Sequence, residues 1–283
     1  MKHVVFGSAG QLGRALSERL LGEVVPLTHA AADLTQPNVL RAALTELRPS
    51  VVFNCAAYNF VDRAEREPDA AFAANAWGAR SLASVCRDLD CTLVHFSSDY
   101  IFGLETGRTA PYREADTPGP ISVYGLSKLT GEYLVRAISP KHIVIRTCGL
   151  YGARGSGGKG SNFVETMLRL AEAGQPIRVV NDQTCTPSYA ADVAEATIQL
   201  VTTGGQGLYH VTNAGSCSWH EFAAAIFELA GLEAKLTAIT SQEYGAAARR
   251  PVYSVLGSRL APLRPWREAL SSFLEARRQI GAV

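Results

Sequence analysis

Short runs of β-branched and aliphatic residues alternate, through the first half of the chain, with longer stretches in which apolar residues return every third or fourth position. The first run, Lys2 to Phe6, predicts a strand, and after it Leu12, Leu16 and Leu20 fall on one stripe of a helix over 11–21. Such a stripe packs on a sheet. Further strands are predicted at 23–27, 51–54, 92–97 and 142–146, with Ala-rich helices at 38–48, 69–89 and 122–137 between them. Strands that alternate with helices build a parallel sheet covered on both faces, so residues 1–150 are expected to form a doubly wound α/β domain. Beyond Gly149 the rhythm loosens. Residues 154–160 read as a loop or lid without the spacing of a phosphate loop. Helices follow at 161–174, 190–203 and 218–231, with short strands at 177–180 and 208–211. Ser218, with Glu221 three residues on, predicts a capping box, and Trp266 is expected to anchor the last helix. No repeat or long polar linker divides the halves. Residues 151–283 are therefore expected to form a smaller, mainly substrate-binding α/β domain, with parts of 177–212 packing back on the first.

Composition narrows the class. In 283 residues there are 27 Lys plus Arg against 26 Asp plus Glu, a formal charge of +1 without basic or acidic blocks, so nucleic acid is not an expected partner. Mean hydropathy is +0.04 and every apolar run stops short of the ~18 residues a membrane span requires. The chain opens on its first strand without a charged leader, which predicts a cytoplasmic protein. Six scattered cysteines without a CxxC pair read as reduced packing thiols, and His3, His95, His142 and His210 have no partners at ligand spacing, so no metal is expected.

Gly7-Ser8-Ala9-Gly10-Gln11-Leu12-Gly13 stands where the first strand ends and the first helix begins. Glycines there let the backbone turn tightly and approach a pyrophosphate, whose charge meets free N–H groups at the helix start. The context predicts a Rossmann-type dinucleotide site with Gly7, Ser8, Gly10, Gln11 and Leu12 at the cofactor. An acid about 20 positions on holds the adenosine ribose in NAD-binding chains. Here the second strand runs into Leu27-Thr28-His29. Neutral Thr28 neither holds both ribose hydroxyls nor repels a 2′-phosphate, so NADPH or NADH is expected, with the balance tilted to NADPH. Asp33, followed by Leu34, falls where the adenine is expected or else caps a loop.

Tyr124-Gly125-Leu126-Ser127-Lys128 puts a phenol and an ammonium on one face of a helix. A phenol titrates near 10, so work as an acid or base near neutrality calls for a neighbouring cation, and Lys128 is expected to lower the Tyr124 pKa. Ser98, at the end of a predicted strand, adds a hydroxyl.

These features, with Phe96-Ser97-Ser98-Asp99-Tyr100-Ile101-Phe102-Gly103, Pro111-Tyr112-Arg113-Glu114, Gly131-Glu132, Asn54 to Tyr58, Asn75-Ala76, Asn162-Phe163, residues 215–223, and Arg249-Arg250-Pro251 followed by Ser254 and Leu256, resemble the dTDP-4-dehydrorhamnose reductase family of extended short-chain dehydrogenase/reductases. The resemblance spans nearly the whole chain. It implies hydride delivery from NAD(P)H to C4 of a 4-keto-6-deoxysugar carried on dTDP, converting dTDP-4-dehydrorhamnose to dTDP-L-rhamnose. Tyr124 would protonate the alkoxide, Lys128 would bind the nicotinamide ribose and Ser98 would bond the carbonyl oxygen. It also implies cofactor contacts from Asp33, Leu34, Ala56, Ala57, Tyr58 and Asn75. Asn59, Val61, Ser98, Asp99 and Tyr100 are implied at the sugar, and Asn162 with Arg249 or Arg250 at the nucleotide end.

Two departures bear on substrate and assembly. Gly149 stands where the family commonly has a tryptophan, which reshapes the sugar pocket and keeps a related nucleotide-linked 4-keto deoxysugar in play. Ala15 stands where some members carry a magnesium-binding glutamate at a dimer contact, so a monomer or a homodimer is expected without that metal. A 4,6-dehydratase needs an Asp-Glu pair where this chain has Asp99-Tyr100. A non-catalytic NADP-binding regulatory subunit resembles the same family, and the intact Ser98, Tyr124 and Lys128 set favours catalysis.

Overall fold

In the computed structural model, which describes residues 1–152 and 161–281, the first half runs β1 (Lys2–Phe6), α1 (Gln11–Arg19), β2 (Glu23–Leu27), α2 (Pro37–Leu47) and β3 (Val51–Asn54). It continues with α3 (Val61–Ala64), α4 (Pro68–Phe72), α5 (Ala79–Asp88), β4 (Thr92–Ser98), α6 (Val123–Ile138) and β5 (His142–Thr147). The second half runs β6 (Leu150–Tyr151), α7 (Phe163–Glu172), β7 (Ile177–Val180), β8 (Thr184–Cys185), β9 (Ser188–Tyr189), α8 (Ala190–Thr202) and β10 (Gly207–His210). It ends with β11 (Cys217–Ser218), α9 (Trp219–Ala230), β12 (Leu236–Ile239), α10 (Ser241–Tyr244) and α11 (Trp266–Gly281). The loop expected at 154–160 lies outside the described residues.

Six strands form one parallel sheet in the order β10-β5-β4-β3-β1-β2. Val4 of β1 sits between Val25 and Val52, so the chain leaves β1 first to one side and then to the other. That reversal opens a crevice at the carboxyl ends of β1 and β3, the place where doubly wound sheets bind ligands. One face of the sheet is covered by Leu40 and Leu44 of α2, Leu82 and Val85 of α5 and Val135 of α6. The other is covered by Leu12, Ala15 and Leu16 of α1 together with Val193, Ala194 and Leu200 of α8. The Leu12–Leu16 stripe is thus buried, each leucine contributing on the order of 2 kcal/mol.

A second core gathers Val164 and Leu168 of α7, Ile177 of β7, Phe222 and Ile226 of α9 and Phe273 of α11. α9 opens with the capping box of Ser218 and Glu221. Between the two cores runs an extended strap. Its Val252 and Val255 carbonyls accept from the amides of Thr184 and Tyr112, and Gly257 N–H donates to the Tyr112 carbonyl.

The single helix expected over 69–89 is instead broken. A π-helical turn, Ala73–Gly78, is inserted between α4 and α5. Apolar spacing cannot reveal such a turn, because the extra residue is accommodated without losing the buried positions Ala71, Ala76 and Ala79 on either side.

Candidate active site

The first wall of the crevice is the turn after β1. Gly7 has φ +69°, and a Cβ there would lie 2.6 Å from the Ala56 amide nitrogen at the end of β3. Gly13 is as tightly placed, since a Cβ would lie 2.3 Å from the Gly7 carbonyl. The Gly10 amide donates to that same carbonyl at 2.9 Å, which closes the turn. α1 then begins with no side-chain cap and no acid in its first turn, in contrast to α6, α7 and α9, which Ser122, Asn162 and Ser218 cap. The side-chain-free cradle and the uncapped amides fit a diphosphate. Ser8 donates its amide to Leu27 at the end of β2, and Leu12 is buried beneath the turn. Asp33 holds a local turn through the Thr35 amide and lies 3.5 Å from His29, and Leu34 is buried against Gly78.

Across the crevice stand Ser98, Tyr124 and Lys128. β4 delivers Ser98 at its last residue and α6 delivers the other two one turn apart. Ser122 caps α6 by accepting from the Gly125 amide, and Glu65 of the loop after α3 accepts from the Val123 amide, fixing where the helix starts. Gly125 and Gly131 let α6 come close. A Cβ on Gly125 would lie 2.2 Å from the Tyr100 carbonyl, and one on Gly131 would lie 2.0 Å from the Asn75 carbonyl.

The π-helical turn is what aims Asn75. Its side chain accepts from the Tyr58 amide at 2.8 Å and donates to the Tyr58 carbonyl and to Ser127 Oγ, both at 3.0 Å. Ser127 in turn donates to the Tyr124 carbonyl at 2.7 Å. One buried amide thereby ties the loop 56–58 to the turn that carries the phenol. The Tyr58 hydroxyl donates to Glu67.

Lys128 is only 3% exposed, and its ammonium donates to the Phe96 carbonyl at 2.5 Å. Burial pushes its pKa down to about 8. The Tyr124 phenol moves the other way, pushed up by burial, with the Ser98 hydroxyl opposing the rise. This corrects the expectation that Lys128 lowers Tyr124. The ammonium is turned to a backbone carbonyl, and desolvation dominates both groups. Tyr124 is therefore a protonated phenol at neutral pH.

The residues expected at the sugar separate. Val61, Tyr58 and Tyr100 pack around Tyr124, with the Tyr100 and Tyr124 rings 5.7 Å apart and edge to face, while Asn59 is exposed. Asp99 does not face outward. Its Oδ1 is hydrogen-bonded to Ser98 Oγ at 3.0 Å, and its Oδ2 accepts from Cys148 at 3.0 Å and Ser254 at 2.7 Å. Both Asp99 oxygens thus have side-chain partners within the protein, which sets it apart from the other residues expected at the sugar. Asn162 caps α7 through the Glu165 amide and donates to Gln11 Oε1 and the Gly152 carbonyl, linking the second core to the dinucleotide turn. The two arginines part company. Arg250 makes a two-armed pair with Asp62, at 2.6 and 3.0 Å, while Arg249 is exposed. Gly149 has φ +52°, and a Cβ there would crowd Pro187 Cα at 3.1 Å. Ala15 is buried between α1 and the sheet.

Ser254, Cys148 and Ser127 were not singled out as site residues by the sequence, since each acts through another side chain. The pair Gly125 and Gly131 in α6 was the available signal for close helix approach. Among the described residues no group of three or more His, Cys, Asp or Glu could hold a metal ion, and no helix is long and apolar enough to cross a membrane.

Comparison with known proteins adds four similarities. The family described as RmlD substrate binding domain matches residues 1–279. The chain is 42% identical to the spore coat polysaccharide biosynthesis protein SpsK of Bacillus subtilis, over 98% of each chain. It is 39% identical to dTDP-4-dehydrorhamnose reductase of Mycolicibacterium smegmatis, covering 96% of this chain and 85% of that one. The crystal structure of dTDP-4-dehydrorhamnose reductase from Bacillus anthracis in complex with NADP superposes with a TM-score of 0.92 at 37% identity, over 97% of this chain and 99% of that one.

Proposed function

Because the chain belongs to the RmlD substrate binding domain family, we propose that it is an NAD(P)H-dependent reductase that converts dTDP-4-dehydrorhamnose to dTDP-L-rhamnose. The observation that carries this reading is the placement of Ser98, Tyr124 and Lys128 at the crevice where the Gly7 turn meets Ala56. The relatives named dTDP-4-dehydrorhamnose reductase, one of them a complex with NADP, support the substrate and the cofactor. NADPH is the preferred donor in this proposal.

When bound, the reduced nicotinamide supplies the two electrons of the reduction. Gly7, Ser8, Gly10, Gln11 and Leu12 hold the diphosphate, and Ala56, Ala57, Tyr58 and Asn75 line the path toward the nicotinamide. Asp33 and Leu34 lie toward the adenine. Lys128 makes one hydrogen bond, to Phe96, and its remaining N–H donors serve the ribose hydroxyls. Tyr124 holds the proton that the reduced C4 oxygen needs, and burial keeps that proton on the phenol until the oxygen becomes basic enough to take it. Ser98 aligns the carbonyl oxygen by a hydrogen bond, worth most as negative charge develops there. Val61, Asn59 and Tyr100 shape the sugar end. Arg249, Arg250 and Asn162 lie toward the nucleotide, with Arg250 held by Asp62. The second core carries most of the nucleotide-sugar contacts in this reading. The protein works in the cytoplasm as a monomer or homodimer, without nucleic acid, and its six free cysteines suit a reducing compartment.

Gly149 favours testing a second substrate. The experiment supplies purified protein with dTDP-4-keto-6-deoxyglucose, with and without a 3,5-epimerase, and with NADPH or NADH. Consumption of reduced cofactor only when the epimerase is present, with dTDP-L-rhamnose as product, is expected. Consumption without the epimerase would assign a related keto deoxysugar instead, and no consumption in any mixture would remove the reductase reading.

A further inference from the structure

We propose that Asp99 is a positioning residue that acts as a neutral acid, giving a hydrogen bond from Oδ1 to Ser98 Oγ so that the Ser98 hydrogen is left for the substrate carbonyl. The inference rests on the reductase reading and deepens it.

The argument is a count of hydrogens. A serine hydroxyl has one hydrogen and two lone pairs. Ser98 Oγ already accepts from the Tyr100 amide at 3.2 Å, faces Asp99 Oδ1 at 3.0 Å and lies within hydrogen-bond reach of the Tyr124 phenol. If Asp99 is ionised, it has no hydrogen to offer, and the Ser98 hydrogen must point at Oδ1. Ser98 then presents only a lone pair to a carbonyl oxygen that gains negative charge, which repels rather than stabilises. If Asp99 carries a proton, all three capacities of Ser98 are used well. It accepts from Tyr100 and from Asp99, and its hydrogen is left on the side of the Tyr124 phenol, where the substrate carbonyl takes it.

The position of that proton is set by the other oxygen. Oδ2 accepts from Ser254 at 2.7 Å and from Cys148 at 3.0 Å, so its lone pairs are taken. The proton is confined to Oδ1, facing Ser98. The groups around Asp99 are Ser98 at the end of β4, Tyr100 on its own turn, Tyr124 from α6, Cys148 after β5 with Cys185 of β8 behind it, and Ser254 from the strap. No cation is among the groups that shift it. Burial raises its pKa against the pull of its hydrogen bonds with Ser254, Cys148, Ser98 and its own backbone amide. Arg250 is spent on Asp62.

The test separates a donating from an accepting Asp99. Asp99→Asn puts an N–H₂ where Oδ1 stands and keeps an oxygen for Ser254 and Cys148, so it imitates the neutral acid. Asp99→Ala removes both bonds. The expected result is a kcat about 100-fold below wild type for D99A, with D99N restoring it to within about tenfold, and with KM for NADPH unchanged in both. In wild type, kcat falls as pH rises and Asp99 ionises, and D99N loses that limb while keeping the one that Lys128 sets near pH 8. Infrared difference spectra of wild type minus D99N, each with NADP⁺ bound, supply a readout independent of turnover and of the sugar. A protonated-carboxyl band at neutral pH is expected in wild type. Absence of that band, or a D99N as impaired as D99A with its fold and NADP⁺ binding intact, would overturn the proposal. Loss of turnover on every keto sugar with the band present would instead count against the reductase reading alone.

Discussion

Replacing Lys128 by methionine is expected to make the protein more stable while weakening its hold on the cofactor. The ammonium is 3% exposed and accounts for one hydrogen bond, to the Phe96 carbonyl. Its pKa falls from 10.5 to about 8, with burial as the leading cause. That fall corresponds to about 3 kcal/mol of preference for the neutral amine in the folded chain. The sign follows from proton linkage. Below pH 8 the lysine is charged both folded and unfolded, so the whole cost of burying the charge is present. Between pH 8 and 10.5 the folded chain binds fewer protons than the unfolded one, and wild type recovers that cost. Lys128→Met should therefore raise stability at pH 7 by up to about 3 kcal/mol, on the order of 5 °C or more in Tm for a chain of this length. The gain should shrink as pH climbs toward 10. Thermal unfolding of wild type and variant at pH 7, 8.5 and 9.5 reads the effect, and fluorescence titration with NADPH reads the loss of affinity. A variant no more stable than wild type at pH 7, with a difference independent of pH, would refute the reasoning that burial strains this ammonium.

Two further outcomes follow from close packing around the same helix. Glu132 and Arg146 pair at 2.6 and 3.0 Å with almost no exposure, so Glu132→Gln, which leaves the guanidinium without its counter-charge, should cost about 3–5 kcal/mol in denaturant unfolding. A change below about 1 kcal/mol would show that the carboxylate is not what compensates the charge. Gly131→Ala should push α6 off the Asn75 carbonyl, lowering stability by roughly 1–3 kcal/mol and raising KM for NADPH through the displaced Tyr58 loop. Gly107→Ala, with open space around its Cβ, serves as the neutral control, and equal effects from both would contradict the packing argument.

Much of this was legible in the sequence for a physical reason. Strand ends and helix starts are local, so the Gly7 turn, the Leu12–Leu16 stripe and the Tyr124–Lys128 pair could be read from spacing. Ser98 was legible because a strand ending in a hydroxyl stood before a tyrosine–lysine turn. What was not legible depends on residues far apart in the chain. Ser254 reaches Asp99 across 155 positions and Arg250 reaches Asp62 across 188, and neither separation leaves a periodic mark. The family resemblance implied Asp99 at the sugar and could not show that the strap and Cys148 draw its carboxyl inward. The electrostatics of Tyr124 were misjudged for a related reason. Helical spacing places Lys128 on the same face but says nothing of the Phe96 carbonyl that captures its ammonium. The π-helical turn that aims Asn75 keeps the apolar pattern of an ordinary helix and so stayed hidden.

The account turns on a buried, protonated phenol giving its proton to the C4 oxygen. Its most direct test is steady-state turnover of dTDP-4-dehydrorhamnose by Tyr124→Phe with NADPH, alongside the Kd for NADPH. A kcat lower by about 10²–10⁴-fold with Kd within about threefold of wild type is the predicted result. Turnover at the wild-type rate would contradict it.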